Sequence, residues 1–428
     1  MHDQGEVSGS AGKTRGAWPY SSEAPDFDTN SELHVANPYG FYRKLREHHP
    51  VFASQHLNAV VLSRMQDVRD GFRDHKRLLS KGSLEGAVRL DPQVVELLTE
   101  NDATLDNFIA NVDPPQHTRL RRAVARPFSV RSMARLEPRV RHETEELLRE
   151  FVTRGKGDLV ADLGNVLPAR ITARFLGIPL EDTIRVHRWV SDWFNLFFTP
   201  LPSHEQRTRA LGYIEYVRYM TELLDARRIC PEEDFMSDIL GAVADGSAEI
   251  SDSEIVGIMT SISLGGNDTT GNQIASLFYR LLTEPGAWQA VVSDPSLRAN
   301  AIEESLRADS AGIGAFRVAK ELIHLSGGTL AAGSVVFLNQ DSANHDGSVF
   351  ENPEEYLIGR PNAGDNVAFG MGIHHCLGAP LARMELGVVL DVVTAMIPTL
   401  RISPQAKRSF RPSVIQRSML SLPVEWDP

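Results

Sequence analysis

One amphipathic pattern, running from Ser251 to Glu284-Pro285, sets the scale of whatever this chain folds into. Ser251-Asp252-Ser253-Glu254 has the form of a capping box, a hydroxyl and a carboxylate three residues apart. Ile255, Ile258, Met259 and Ile262 then recur on one helical face. Ile274, Leu277 and Phe278 resume the pattern before the proline stops it. As one helix, residues 251–283 would span roughly 50 Å. The rest of the chain has to pack around such a strut.

In its middle lies Gly265-Gly266-Asn267-Asp268-Thr269-Thr270. Two glycines and three hydroxyl or carboxylate side chains weaken a helix and invite a kink. The same residues would also suit a polar surface turn between two separate helices.

Elsewhere helical periodicity dominates up to about residue 310. It predicts helices over 38–48, 65–74, 117–127, 131–154, 161–176, 181–197, 204–228, 233–244 and 297–308, with one more over 377–397. Strand-like pieces occur early (50–62), late (316–339, broken by Gly-Gly and Ala-Gly) and at the end (419–426). Residues 341–368 carry little regular signal. The expected fold class is mainly α, with a small β region assembled from both ends of the chain. Residues 1–30 read as a flexible N-terminal tail, and the lack of an interior linker makes 31–428 a single domain.

Net charge is −12, which gives no basic stripe for nucleic acid. Basic residues do cluster in 119–126 and 131–141, as solvated faces or as a docking surface for an acidic partner. The two cysteines, Cys230 and Cys376, cannot make a disulfide framework, so a reducing cytoplasm is the simplest compartment. No apolar run has the length of a signal sequence or of a membrane span.

Cys230 has nothing ligand-like around it and reads as a buried small hydrophobe. Cys376 stands differently, in Phe369-Gly370-Met371-Gly372-Ile373-His374-His375-Cys376-Leu377-Gly378. Gly370, Gly372 and Gly378 would let a tight loop lie close to a flat partner. The following apolar helix, with Pro380 in its first turn, points amide groups and a positive dipole end at a thiolate. A structural zinc site fails on spacing, because adjacent histidines before one cysteine do not make spaced ligand pairs. A nucleophilic cysteine with His374 or His375 as base has no other support in the chain.

The pattern Phe-Gly-x-Gly-x-His-x-Cys-x-Gly resembles the haem-binding loop of the cytochrome P-450 family, and Ala379, Ala382, Arg383 and Glu385 resemble the helix that follows it. That resemblance covers nearly the whole chain, from Asn37 to Trp426, and implies a long central helix over a haem b (iron protoporphyrin IX). It makes Cys376 the iron ligand, a thiolate that pushes electron density to the metal. Phe369, Gly370, His374 and Gly378 would complete the cofactor loop. Gly265-Gly266-Asn267-Asp268-Thr269 matches the family's acid–alcohol signature at an oxygen-activating kink. Asp268 would relay protons and Thr269 hydrogen-bond the bound dioxygen, since cleaving O–O needs two protons. Glu304-x-x-Arg307 resembles the family's buried pair, with Arg360 completing a structural network. His117 and Arg121, one turn apart, together with Arg317 and His374, match partners of the haem propionates.

Two departures stand out. Ala343-Asn344-His345-Asp346-Gly347 has His and Gly where the family usually has Arg and Pro, which puts a local salt bridge in doubt. No proline follows the Glu–Arg helix in 308–316, which suggests an unusual pocket wall whose small residues leave room for substrate.

The resemblance implies a monooxygenase that inserts one oxygen atom from O2 into an organic substrate, with epoxidation or oxidative C–C or C–N coupling as the alternative outcome. A non-catalytic haem protein would not need the acid–alcohol pair. Electrons would come from a ferredoxin and a ferredoxin reductase. By analogy, substrate contacts come from about 83–112, 186–210, 260–269, 308–316 and 413–416, including Leu264, Gly265, Ile313 and Ile415. Trp189, Trp193, Phe194, Phe197 and Phe198 suit a largely apolar pocket, although aromatics at helical spacing are more often core. A mid-sized natural-product scaffold fits such a pocket better than a small polar metabolite.

Overall fold

The computed structural model describes residues 36–84, 90–198, 201–325, 328–411 and 413–427, so the proposed tail at 1–30 lies outside the described residues. The long pattern forms two helices, Asp252–Gly266 and Asp268–Thr283, that meet at Asn267. The capping box is closed in both directions: Glu254 N–H donates to Ser251 Oγ, and Ser251 N–H donates to Glu254 Oε2. Neighbouring backbone touches the strut directly. A Cβ on Gly271 would overlap the Gly164 carbonyl oxygen, so only glycine lets that segment pack there.

Prolines decide where two expected helices divide. The stretch 131–154 folds as Val130–Ala134 and Glu137–Val152, with Pro138 in the first turn of the second helix. A proline ring clashes with the carbonyl four residues back, and the first helix duly ends at Ala134. Pro168 acts alike, separating a π-helical turn at Val160–Gly164 from the helix Leu167–Leu176. Thr183–Phe198 and Ser203–Ile229 form close to the expected bounds and pack side by side. Three short helices were not visible in the periodicity: Pro92–Glu100, Ala287–Ser293 and Gln340–Ala343.

The β region does draw on both ends of the chain. In the largest sheet the strands lie in the order Val51–Ser54, Ala59–Leu62, Val335–Asn339, Gly314–Ala319, Leu78–Leu79. All neighbours are antiparallel except Ala59–Leu62 beside Val335–Asn339, paired from Val60↔Val336 to Leu62↔Leu338. The final strand Pro423–Glu425 sits between Lys156–Asp158 and Arg401–Ile402. Most buried apolar side chains form one core around the two central helices, and a second core lies between the large sheet and helix Met65–Arg73.

Glu304 and Arg307, on helix Arg298–Ala308, have no solvent exposure, and Arg360 has 3%. Arg307 meets Glu304 with two bonds of 2.7 and 2.8 Å, and Arg360 Nε lies 3.0 Å from both carboxylate oxygens. The remaining guanidinium N–H groups donate to carbonyls of Asn344, Glu351, Asn352, Pro353 and Glu355. A helical i, i+3 pair that is nearly worthless on a surface becomes a fully bonded knot when it is buried. It holds the otherwise irregular segment 344–360 in place. Glu304→Ala would strand two buried guanidiniums, so equilibrium unfolding should show a loss of about 3–5 kcal/mol; a loss within about 0.5 kcal/mol, the surface-substitution range, would contradict this role.

Candidate active site

The cysteine loop owes its shape to two turns, at Gly370 (φ 64°) and Gly372 (φ 70°). A Cβ on Gly372 would also lie 2.6 Å from the Phe72 carbonyl oxygen. Both glycines therefore serve the turns, and Gly372 also lets the loop pack against helix Met65–Arg73. Cys376 N–H closes the loop by donating to the Phe369 carbonyl at 2.9 Å. The half-buried Phe369 ring carries the Arg383 guanidinium 4.6 Å from its centroid, and Arg383 is held in turn by Glu303.

Cys376 lies three residues before helix Ala379–Met396, whose first turn contains Pro380. Protein surrounds the thiol, and this desolvation pushes it above its ordinary value. Backbone N–H groups of Gly378 and Ala379, with Arg121 and Arg383 nearby, pull the other way by favouring the thiolate. The residue nevertheless keeps solvent exposure. Cys230 is exposed as well, as the C-cap of Ser203–Ile229, and not the buried hydrophobe expected from the sequence.

His117, Arg121, Arg317 and His374 come together from three elements: helix Gln116–Val124, strand Gly314–Ala319 and the cysteine loop. The His117 and His374 rings lie 4.0 Å apart, and both residues sense the positive charge of Arg121 and Arg317. Both His117 ring nitrogens and His374 Nε2 are buried without a hydrogen-bond partner among the described residues. Arg317 is 7% exposed, and its only bond among them runs from Nη1 to the Phe316 carbonyl at 2.7 Å. Arg121 Nη2 donates to the His375 carbonyl at 2.6 Å. None of the four makes an ion pair among the described residues.

The electrostatics agree. Burial lowers Arg317 to about 10, with Asp113 opposing. Burial and then Arg121 lower His117 to about 4, while burial followed by His117 and Arg317 depresses His374 further. A concentration of buried donors and positive charge calls for an anionic ligand group.

The break at Asn267 carries the acid and the alcohol on the first turn of Asp268–Thr283. The Thr269 hydroxyl donates to the Gly265 carbonyl, which leaves its oxygen free to accept. The Asp268 carboxylate is half-buried and makes no hydrogen bond or ion pair among the described residues. Leu264 is half-buried and Gly265 exposed, with nothing within 4 Å of where a Gly265 Cβ would be. Open space therefore adjoins the break. Ile313 and Ile415 are brought together by an Ile313 N–H bond to the Ile415 carbonyl at 2.9 Å.

Some expectations about the pocket change. Trp189, Trp193 and Phe197 are buried in the helical core beside Tyr213, Tyr216 and Tyr219, which leaves only Phe194 and Phe198 half-buried. Gly314 is small because a Cβ would overlap Leu338 O and the Phe337 ring, not because substrate needs the room. Where His345 departs from the family pattern, it lines a cavity of about 540 Å³ together with Asp346 and Gly347. It is 1% exposed, its ring lies 4.2 Å from that of Tyr39 at a tilt of 31°, and its Nδ1 lies 2.9 Å from the Asp341 carbonyl. Where proline is missing, the chain turns at Asp309, which is ringed by Arg280, Arg408 and Arg417. Neither Asp309 nor Gln273, described below, was singled out from the sequence. The one available signal was that Gln273 lies four residues after Thr269, on the same helical face.

A haem fits these residues. Cys376 offers one sulfur ligand, and two carboxylates would satisfy the four converging donors. Among the described residues no group of three or more His, Cys, Asp or Glu gathers to hold a metal ion, and no helix is long and apolar enough to cross a membrane.

Comparison with known proteins agrees with the geometry. The family model described as Cytochrome P450 matches residues 295–425. Cytochrome P450 107B1 of Saccharopolyspora erythraea is 30% identical, over 94% of this chain and 98% of the relative. Mycinamicin IV hydroxylase/epoxidase of Micromonospora griseorubida is 31% identical over 92% and 97%, and vitamin D(3) 25-hydroxylase of Pseudonocardia autotrophica 32% over 92% and 94%. The structure of cytochrome P450 CREJ in complex with (4-ethylphenyl) dihydrogen phosphate superposes with a TM-score of 0.87 at 27% identity, covering 95% of this chain and 100% of that one. An intact type IV self-sufficient cytochrome P450 monooxygenase superposes at 0.88 and 28% identity, covering 96% of this chain and 54% of that one. This chain belongs to the cytochrome P450 family, the haem-thiolate oxidoreductases that incorporate oxygen into organic substrates.

Proposed function

We propose that residues 31–428 act as one cytoplasmic catalytic domain that hydroxylates a C–H bond of a mid-sized, largely apolar natural-product scaffold. The observation that carries this is the unpartnered Asp268 carboxylate beside a Thr269 oxygen left free to accept, at a break in the central helix that adjoins open space. A carboxylate and a hydroxyl so placed serve proton delivery, which a haem carrier of electrons does not need.

When bound, the haem supplies oxygen activation and the oxidising power for attack on the substrate. The chain supplies the rest. Cys376 ligates the iron, with the Gly378 and Ala379 amides favouring its thiolate form. His117, Arg121, Arg317 and His374 hold the propionates. Asp268 passes protons inward from solvent, and Thr269 Oγ1 accepts the hydrogen bond of a proton-bearing group in the cleft. Leu264, Gly265, Ile313 and Ile415 touch substrate. Relatives named for hydroxylation, and one for hydroxylation and epoxidation, support this range of outcomes.

Electrons are proposed to come from an acidic ferredoxin, served by its reductase. Arg122, Arg126, Arg131 and Arg135 are exposed and make no ion pair among the described residues. Arg122 lies on helix Gln116–Val124 beside Arg121, and Arg131 on helix Val130–Ala134, which packs on the helix that follows Cys376, so the four are placed for a basic face on the Cys376 side.

Compounds that fit should displace water from the cleft and shift the ferric spin state. Incubation of such a compound with 18O2 and redox partners should label one oxygen of the product, and unlabelled product would sink monooxygenation. Asp268→Asn should slow turnover roughly 10²-fold. Thr269→Ala should keep consuming NADH while product per NADH falls several-fold and peroxide appears; full coupling would remove Thr269 from proton delivery. Arg122→Glu with Arg126→Glu should raise the ferredoxin KM in a salt-dependent way, whereas unchanged, salt-insensitive kinetics would refute the docking face.

A further inference from the structure

The segment that turns after the Glu–Arg helix makes few bonds to itself, and its polar backbone groups are matched elsewhere. The Ala311 carbonyl accepts from Arg417 N–H at 2.8 Å, and the Ile313 carbonyl accepts from Asp341 N–H at 3.0 Å. Both of those partners belong to the sheet side and the C-terminal loop. The central helix reaches the segment through two side chains, Arg280 and Gln273. Arg280 holds the outer end, by the Ala308 carbonyl and the Asp309 carboxylate.

Gln273 holds the inner end and is itself 4% exposed. Its Nε2 donates to Ser305 Oγ at 3.0 Å and to the Asp309 carbonyl at 3.4 Å, and its Oε1 accepts from Ala311 N–H at 3.0 Å. Ser305, Asp309 and Ala311 are all buried, so each of these groups would lose its partner to no water if the carboxamide were removed. Gln273 also lies one helical turn beyond Thr269, on the same face.

We propose that Gln273 is a positioning residue that ties the substrate-facing wall Ala311–Ile313 to the turn carrying Asp268 and Thr269. A ligand that presses on the wall then resets the turn that delivers protons. The carboxamide suits this task because it donates to one side of the segment and accepts from the other, a pairing that no single apolar or charged side chain reproduces. The inference rests on the haem-site reading above.

The test uses haem-loaded protein and 4-phenylimidazole, an azole that ligates iron and fills the space beside it. Its dissociation constant is read from the red shift of the Soret band, and amide hydrogen exchange is followed in 264–273 and 308–316 with and without the azole. In the unmodified protein, binding should slow exchange in both segments together. Gln273→Leu should weaken the azole several-fold and leave 308–316 protected on binding while 264–273 no longer responds. Gln273→Glu keeps the acceptor for Ala311 N–H and should restore part of the joint response. A Gln273→Leu protein with unchanged affinity and joint protection overturns the inference while leaving the haem site intact. If that variant does not load haem, Ser305→Ala removes one partner of the carboxamide and should shift both readouts less, in the same direction; no shift overturns the proposal. Absence of any azole-induced Soret shift in the unmodified protein would overturn the haem-site reading itself, and this inference with it.

Discussion

Cys376 is held in place by a carboxylate far upstream. Glu304, without solvent exposure, binds the guanidiniums of Arg307 and Arg360. Arg307 then donates to the Asn344 carbonyl, and the Asn344 side chain accepts from Val367 N–H at 2.8 Å. Val367 lies two residues before Phe369, whose carbonyl receives the Cys376 amide. Gln340 adds a second brace through the Val367 and Ala368 carbonyls. The loop carrying the thiolate thus takes its position from a buried, fully bonded charge network, with little regular secondary structure around it. Such a network loses its value if one member is removed, because the remaining charges stay buried.

The opposite side of the cleft is governed by a break rather than a brace. Asp252–Gly266 and Asp268–Thr283 would make one long helix but for Asn267. The Gly265 carbonyl beside the break accepts the Thr269 hydroxyl instead. The same second helix sends Gln273 and Arg280 to the wall at 308–313, where Asp309 meets three arginines. The pair proposed for proton delivery and the tie to the wall at 308–313 therefore share one element.

Much of this was legible in the sequence where chemistry demands particular residue types in a row. The cysteine loop, the acid–alcohol pair and the Glu304–Arg307 pair are local patterns, and the donors His117, Arg121, Arg317 and His374 do converge. Helix lengths were legible until proline intervened, because Pro138 and Pro168 act on a carbonyl four residues earlier and not on the apolar stripe. Properties that depend on a distant neighbour were hidden. That Gly372 must also clear the Phe72 carbonyl, and Gly314 that of Leu338, could not be read from the sequence. Trp189, Trp193 and Phe197 could have faced either core or pocket, since helical spacing shows that a face is apolar without showing what covers it. The ring of arginines around Asp309 joins positions 280, 309, 408 and 417, so no short window of sequence contains it.

The central claim is that a single thiolate, Cys376, ligates a haem iron in this cleft. The ferrous–carbon monoxide absorption spectrum tests it most directly. The unmodified protein is expected to give the strongly red-shifted Soret band of thiolate ligation, and Cys376→Ala to lose it. A variant lacking the thiol that kept the band, or an unmodified protein that gave the band of nitrogen-ligated haem, would contradict the account.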